Sequence, residues 1–384
     1  LFSKMRKLKF TRETVCYQLP VIFCLVLMAV LFFLPTGFED AVIYKGTERC
    51  AAEVLNTDDS KIISTGLIKS GEQRCTVRFL GGEFKGLEAD GFNMLNGSLE
   101  ADKIFRPGDK ALVVISHKGE EILSVNLIDH YRLNKELILA GCFVVLLILF
   151  AGRTGIRAVL SFGLTIMMIW KLLVPMYLKG MQPVMVGLVI VLTLTFIIIT
   201  LVYGFDRKAF AAVSGSFLGI ITTCIMGLIF TDAFKIHGAI MPNSESLLYS
   251  GYENLNLTQI FMASIFIGSS GAVMDLAVDI TSAVNEVIQK KPDIGWREAM
   301  QSGMAVGRAA MGTMTTTLLL AYSGGCVALL MVFMAQGTPI DNILNYKYVS
   351  SEILDTIVGS FGLVTVAPFT ALTSGVFLTR KKKA

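Results

Sequence analysis

The chain has 384 residues, 53% of them hydrophobic and only 17% charged, with a mean hydropathy of +0.64. About a quarter of a soluble domain's residues are charged, so this composition excludes an ordinary soluble protein and points to an integral membrane one. The net charge of +4 comes from basic residues gathered at the edges of apolar runs. A stripe that could follow phosphates is missing, which argues against a nucleic-acid partner.

In chain order, the basic stretch LFSKMRKLKFTRE precedes an apolar run from Leu19 to Leu34. LPTGFEDA offers no clear small-x-small cleavage site, so the run reads as a retained anchor helix with its basic flank in the cytoplasm. Residues 1–36 form this tail and anchor, and residues 37–132 are the one sizeable polar segment, placed outside the membrane. Ala41–Tyr44, Glu48–Leu55, Gln73–Leu80, Leu87–Phe92, Ala111–Ile115 and Ile122–Ile128 are its candidate strands, with GGEFKG, FRPGDK and SHKGEE as turns. Five or six strands of this length suit a small extracytoplasmic β-barrel, OB-like in size. It has no aromatic platform for bases or sugars, so a structural or partner-docking role is favoured.

Of seven cysteines, only Cys50 and Cys75 lie in this polar segment. They are the candidate disulfide if the outside is oxidising, with two free thiols as the alternative. No C-x-x-C spacing occurs and there are three histidines, so neither a metal site nor a cofactor is expected beyond a bound proton or monovalent cation.

Residues 133–384 then read as seven further spans. Glu136–Phe150 leads to a basic turn at Arg153 and Arg157, and Ala158–Tyr177 returns outwards with Lys171 snorkelling or paired. Val184–Tyr203 runs to the basic turn GFDRK, and Ala209–Phe230 carries Ala211, Gly215 and Gly219 as a close-packing seam. A loop from Thr231 to Leu257, long enough for a small surface helix, precedes the span Phe261–Glu286. A polar segment QKKPDIGWREAMQSGMAVGR, the span Ala309–Gln336, a polar outer loop around Asn342–Asp355 and the span Thr356–Thr379 complete the chain. The fold expected is thus a membrane α-helical bundle of about eight transmembrane helices, with the β-barrel inserted after the first. Every strongly basic turn falls on the side that holds both termini, so a plasma-membrane protein with both ends cytoplasmic is expected.

The chemistry centres on Phe261–Glu286, where Asp275, Asp279, Ser282 and Glu286 fall on one helical stripe that Gly268 and Ala272 extend. A carboxylate at bilayer depth costs a few kcal/mol and is rarely left facing lipid. Two of them one turn apart do not both ionise cheaply, so one holds a proton unless a cation sits between them. The bland alternative is a structural pair bonded to hydroxyls, to Arg308 or to Lys171. The next span offers Thr313, Thr316, Thr317 and Ser323 as hydroxyl donors and Arg308 as a counter-charge, although threonines in membrane helices more often bond their own i−4 carbonyls.

GSSGAVMDLAVDITSAVNEV together with GRAAMGTMTTTLLLAYSGG resembles the signature of the YibE/F-like membrane family. That family's order of anchor, small outer β domain and seven spans covers most of the chain. An acidic residue often follows the arginine where this chain has Ala309, and asparagine often replaces Thr317, so a role for those side chains does not carry over. LILFAGRTGIRAVLSFGLTIM and REAMQSGMAVGRAAMGTMTTT are more loosely similar to one half of a resistance-nodulation-division permease. That resemblance implies a proton relay at Asp275 and Asp279. The two extra spans, the small outer domain and the four-residue spacing of the carboxylates depart from it.

The expected function is a proton- or cation-coupled secondary transporter of unread substrate. The alternative is a non-transporting membrane protein whose outer domain binds a partner or envelope ligand. An intramembrane aspartyl protease is disfavoured because both Asp share one helix, and no Ser-His-Asp, Walker A or zinc motif points to another enzyme. The partners expected are the bilayer and a second membrane subunit or second copy.

Overall fold

The computed structural model describes residues 12–39 and 46–379; the candidate strand Ala41–Tyr44 and the basic ends of the chain lie outside them. The chain divides into two compact units, one of residues 39–149 and one of residues 1–38 and 150–384.

The first unit is a closed five-stranded barrel followed by a helix. Its strands are β1 (Thr47–Thr65), β2 (Ile68–Phe79), β3 (Glu88–Asn96), β4 (Lys110–Lys118) and β5 (Glu121–His130), in the order β1-β2-β3-β5-β4. β1 is more than twice the predicted length because two register shifts, at Val54/Asn56 and Asp58/Lys61, bend it enough to pair with both β2 and β4. Gly71 stands opposite Ile62 at φ +115°, and a Cβ there would run into the Lys61 carbonyl, so only glycine closes this corner. Alternation along β2 and β4 turns Cys75, Val77, Phe79, Ala111, Val113 and Ile115 inwards.

Among these apolar side chains, Gln73 and Asn93 are fully buried. Gln73 Nε2 donates to Asp59 Oδ1 at 2.8 Å and to the Phe105 carbonyl at 2.9 Å, while its Oε1 accepts from Phe105 N and Asn93 Nδ2, both at 3.0 Å. This network pins the segment between β3 and β4 into the barrel. Of the two readings left open for Cys50 and Cys75, the structure has the free thiols and not the disulfide. Cys75 pairs with Thr57, seven residues along β1 from Cys50, so the two sit at different levels of the barrel. Burial pushes the Cys75 thiol up to about 12 and also raises Cys50, with help from Glu48, so both stay protonated and unreactive. The barrel leads into an apolar helix at Leu133–Ala151.

The second unit holds the other helices, and in chain order the whole set is α1 (Arg12–Phe33), α2 (Leu133–Ala151, just described), α3 (Arg153–Met168), α4 (Val174–Leu178), α5 (Pro183–Tyr203), α6 (Arg207–Ala233), α7 (Ser244–Tyr249), α8 (Leu257–Lys290), α9 (Trp296–Ser323), α10 (Val327–Ala335), α11 (Ile340–Asn345) and α12 (Lys347–Thr379). Seven spans among the described residues are long and apolar enough to cross a membrane, and Gln18–Phe33 is a shorter apolar helix beside them. α3 and α4 join through a π-turn at Ile169–Leu173, next to Pro175, which has no N–H to continue the ladder. Lys171 in this turn donates to the Leu34 carbonyl at 3.3 Å, and buried Arg157 donates to the Leu201 carbonyl at 2.8 Å.

α12 lies at the centre of the unit, against α6, α8 and α9. The predicted seam is there: a Cβ on Gly215 would overlap Thr370, one on Gly219 would stand 2.9 Å from Val366, and one on Gly362 would overlap Thr223. Backbones this close replace side-chain bulk as the source of dispersion contact, as membrane helices require.

Two expectations are corrected. α9 begins at Trp296 and not near Ala309, because Ala299, Gly303 and Gly307 of the polar-looking segment are buried; Gly303 meets Val284 and Ala371, and Gly307 meets Ala367 and Ile280. α12 begins at Lys347, so most of the expected outer loop is helical, with Val349, Ser351 and Leu354 buried. In both cases charged residues on one helix face read as loop.

Candidate functional site

α8 carries a continuous stripe of small and polar residues that the rest of the bundle leaves open. Ser264, Gly268, Gly271, Asp275, Asp279, Ser282 and Glu286 are all exposed, at steps of three or four, which is one face of a helix. The opposite face, through Phe266, Val273, Leu276, Ile280 and Val284, is buried in the core. The predicted stripe is therefore present, with Gly271 in place of half-buried Ala272.

The expected partners are not assembled around the pair. Among the described residues, no ion pair joins Arg308 to Asp275 or Asp279, and Glu286 pairs with Lys290 at 2.9 Å. Thr313, Thr316 and Thr317 are exposed and donate to their own helix, to the carbonyls of Ala310, Gly312 and Thr313 at 3.0, 3.1 and 2.9 Å. A hydroxyl three or four residues after a carbonyl finds it at no conformational cost, so the threonines saturate locally. Ser323 is half-buried at the end of α9.

Two tyrosines flank the stripe instead. Tyr203, at the end of α5, donates to the Val278 carbonyl at 2.7 Å and lies 2.6 Å from Ser282 Oγ. Tyr322, near the end of α9, puts its hydroxyl 2.6 Å from where a Cβ on Gly268 would stand. Gly268 is two turns from Asp275, roughly 10 Å along the axis. Tyr322 also lies within electrostatic reach of Asp355 and Glu352 on α12, and Cys326 hydrogen-bonds Glu352. The Tyr322 hydroxyl and Asp355 Oδ1 are both buried and have no partner. These residues meet where α9 breaks into the 3₁₀ turn Gly324–Cys326 before α10.

No motif in the sequence singles out Tyr322, Glu352 or Asp355. Asp355 lies in α12 and not in an outer loop, and the apolar period of Leu354, Val358 and Leu363 is the one signal that extends the helix back to include it. No group of His, Cys, Asp and Glu able to hold a metal ion occurs among the described residues.

Fold and site together define a multi-pass membrane protein with a β-barrel domain and intramembrane carboxylates. The model of the YibE/F-like protein family matches residues 139–380, and the chain belongs to that family. No curated protein and no solved structure matches it, so the permease likeness rests on the sequence motifs alone.

Proposed function

We propose that the chain is a secondary membrane transporter in which Asp275 and Asp279 carry a proton or a small monovalent cation. The observation behind this reading is the open α8 stripe, which sets two carboxylates about 6 Å apart along the axis of a membrane-spanning helix and gives neither an ion-pair partner among the described residues. Left against lipid, such groups cost several kcal/mol, so water or an ion must reach them. Gly271, one turn from Asp275 and with nothing within 4 Å of where its Cβ would stand, leaves room for it.

On this reading the path runs from Glu352, Asp355 and Tyr322 past Gly268 and Gly271 to Asp275 and Asp279, and leaves by Ser282, Tyr203 and Glu286. Tyr322 serves as a hydroxyl step between the outer acids and the pair. Both termini lie in the cytoplasm and residues 37–132 outside, with α1 as the eighth span.

Reconstitution in liposomes tests the proposal. Dissipation of an imposed pH or Na⁺ gradient by the wild type is expected to fall at least tenfold in Asp275→Asn and Asp279→Asn, and more modestly in Asp355→Asn. Absence of flux under every gradient from folded wild-type protein contradicts it.

A further inference from the structure

Where α6 ends and α12 begins, the chain forms an open pocket of about 450 Å³, separate from the α8 stripe. Lys235, His237, Asn345, Lys347 and Ser350 line it, over an apolar floor that includes Ile240, and no carboxylate is in its wall. Neither lysine is in an ion pair among the described residues. Lys347 Nζ rests 5.2 Å from the Tyr348 ring.

Other bonds fix which donors remain for a ligand. His237 Nδ1 accepts from Ala239 N at 3.2 Å, which puts the ring proton on Nε2 and leaves it to donate. Ser350 Oγ donates to the Leu344 carbonyl at 2.9 Å and Asn345 Nδ2 to the Asp341 carbonyl at 2.8 Å, so the serine proton is committed while one amide proton stays available. Lys235 holds φ +52° in the left-handed turn that ends α6, where Ile236 N donates to the Thr231 carbonyl at 3.2 Å.

Lys235, Lys347, His237 and Asn345 bring two ammonium groups, an imidazole N–H and an amide N–H to the lining of one pocket that has no carboxylate of its own, and all four are exposed to a ligand from solution or from the lipid surface. A ligand with several anionic oxygens offsets the like charges through charge-assisted hydrogen bonds. We propose that this pocket is a binding site for a phosphate-class anion, either inorganic phosphate or the phosphodiester of an anionic lipid. The apolar floor accommodates the hydrocarbon of the second. The proposal is independent of the transport reading.

Thermal melting of the purified full chain in neutral detergent tests it. Sodium phosphate is compared with sodium chloride at equal ionic strength, and short-chain phosphatidylglycerol with phosphatidylcholine of the same chain length. A ligand that binds only the folded state raises its Tm. A rise of several degrees with at least one phosphate probe is expected, and its loss in Lys235→Asn/Lys347→Gln, where asparagine tolerates the left-handed backbone. A response to phosphate identifies the free anion as ligand, and a response to phosphatidylglycerol alone identifies the lipid. If the double variant does not fold, each single variant is expected to lose part of the rise. No rise above the controls, or an equal rise in the variants, overturns the proposal.

Discussion

The barrel and the α8 stripe handle polar side chains in opposite ways. In the barrel, Gln73 and Asn93 are completely buried, and Gln73 makes four hydrogen bonds that close the segment before β4 onto the strands. On α8, Asp275 and Asp279 are exposed and have no ion pair among the described residues. A buried amide without partners costs about 1–3 kcal/mol, which the barrel avoids by complete bonding. The bundle leaves more costly groups uncommitted, so polarity serves structure in one region and is free for chemistry in the other.

Substitutions at the bundle interior probe the close packing that leaves its stability independent of the carboxylates. Gly362→Leu drives a side chain into Thr223 and is expected to cost about 3 kcal/mol or more, seen as loss of the monodisperse peak on size exclusion. Gln73→Leu strands the Asn93 and Phe105 donors and is expected to cost about 2–4 kcal/mol. Hydrogen exchange should then speed up across residues 97–109, between β3 and β4, while α8 is unaffected. Asp275→Asn removes no ion pair, so its Tm is expected to stay within about 2 °C of wild type while gradient dissipation collapses. A large loss of stability there would break the contrast.

The smallest effect concerns acid. Asp102 accepts hydrogen bonds from the N–H groups of Asn96 at 2.9 Å, Gly97 at 2.7 Å and Ser98 at 2.8 Å, and these, Asn96 first, hold its carboxyl below the ordinary value. A depressed carboxylate contributes stability above its unfolded pKa of about 4 and loses it as pH falls through the folded value. Melting from pH 6 to pH 3 should therefore weaken the barrel more steeply in wild type than in Asp102→Asn.

Much of this was legible in the residues. Short runs between turn signals overlapped β2 to β5, and the four-residue spacing of Ala211, Gly215 and Gly219 announced a close-packing seam, whose partner is α12. The i, i+4 spacing of Asp275 and Asp279 placed them on one stripe. What neighbours would do was not legible, because it depends on how helices rotate against one another. The threonines of α9 bond their own turn, and Arg308 makes no pair with the aspartates. Helix ends at Trp296 and Lys347 were missed since charged exposed faces hide a buried period. That error concealed Asp355 beside Tyr322.

The central claim is that water reaches the α8 stripe at bilayer depth. In a chain with its native cysteines replaced by serine, Gly271→Cys and the buried control Val273→Cys can be treated in intact membranes with a small charged methanethiosulfonate. The account predicts rapid modification at position 271 and none at 273. A cysteine at 271 as inert as the one at 273 would contradict it.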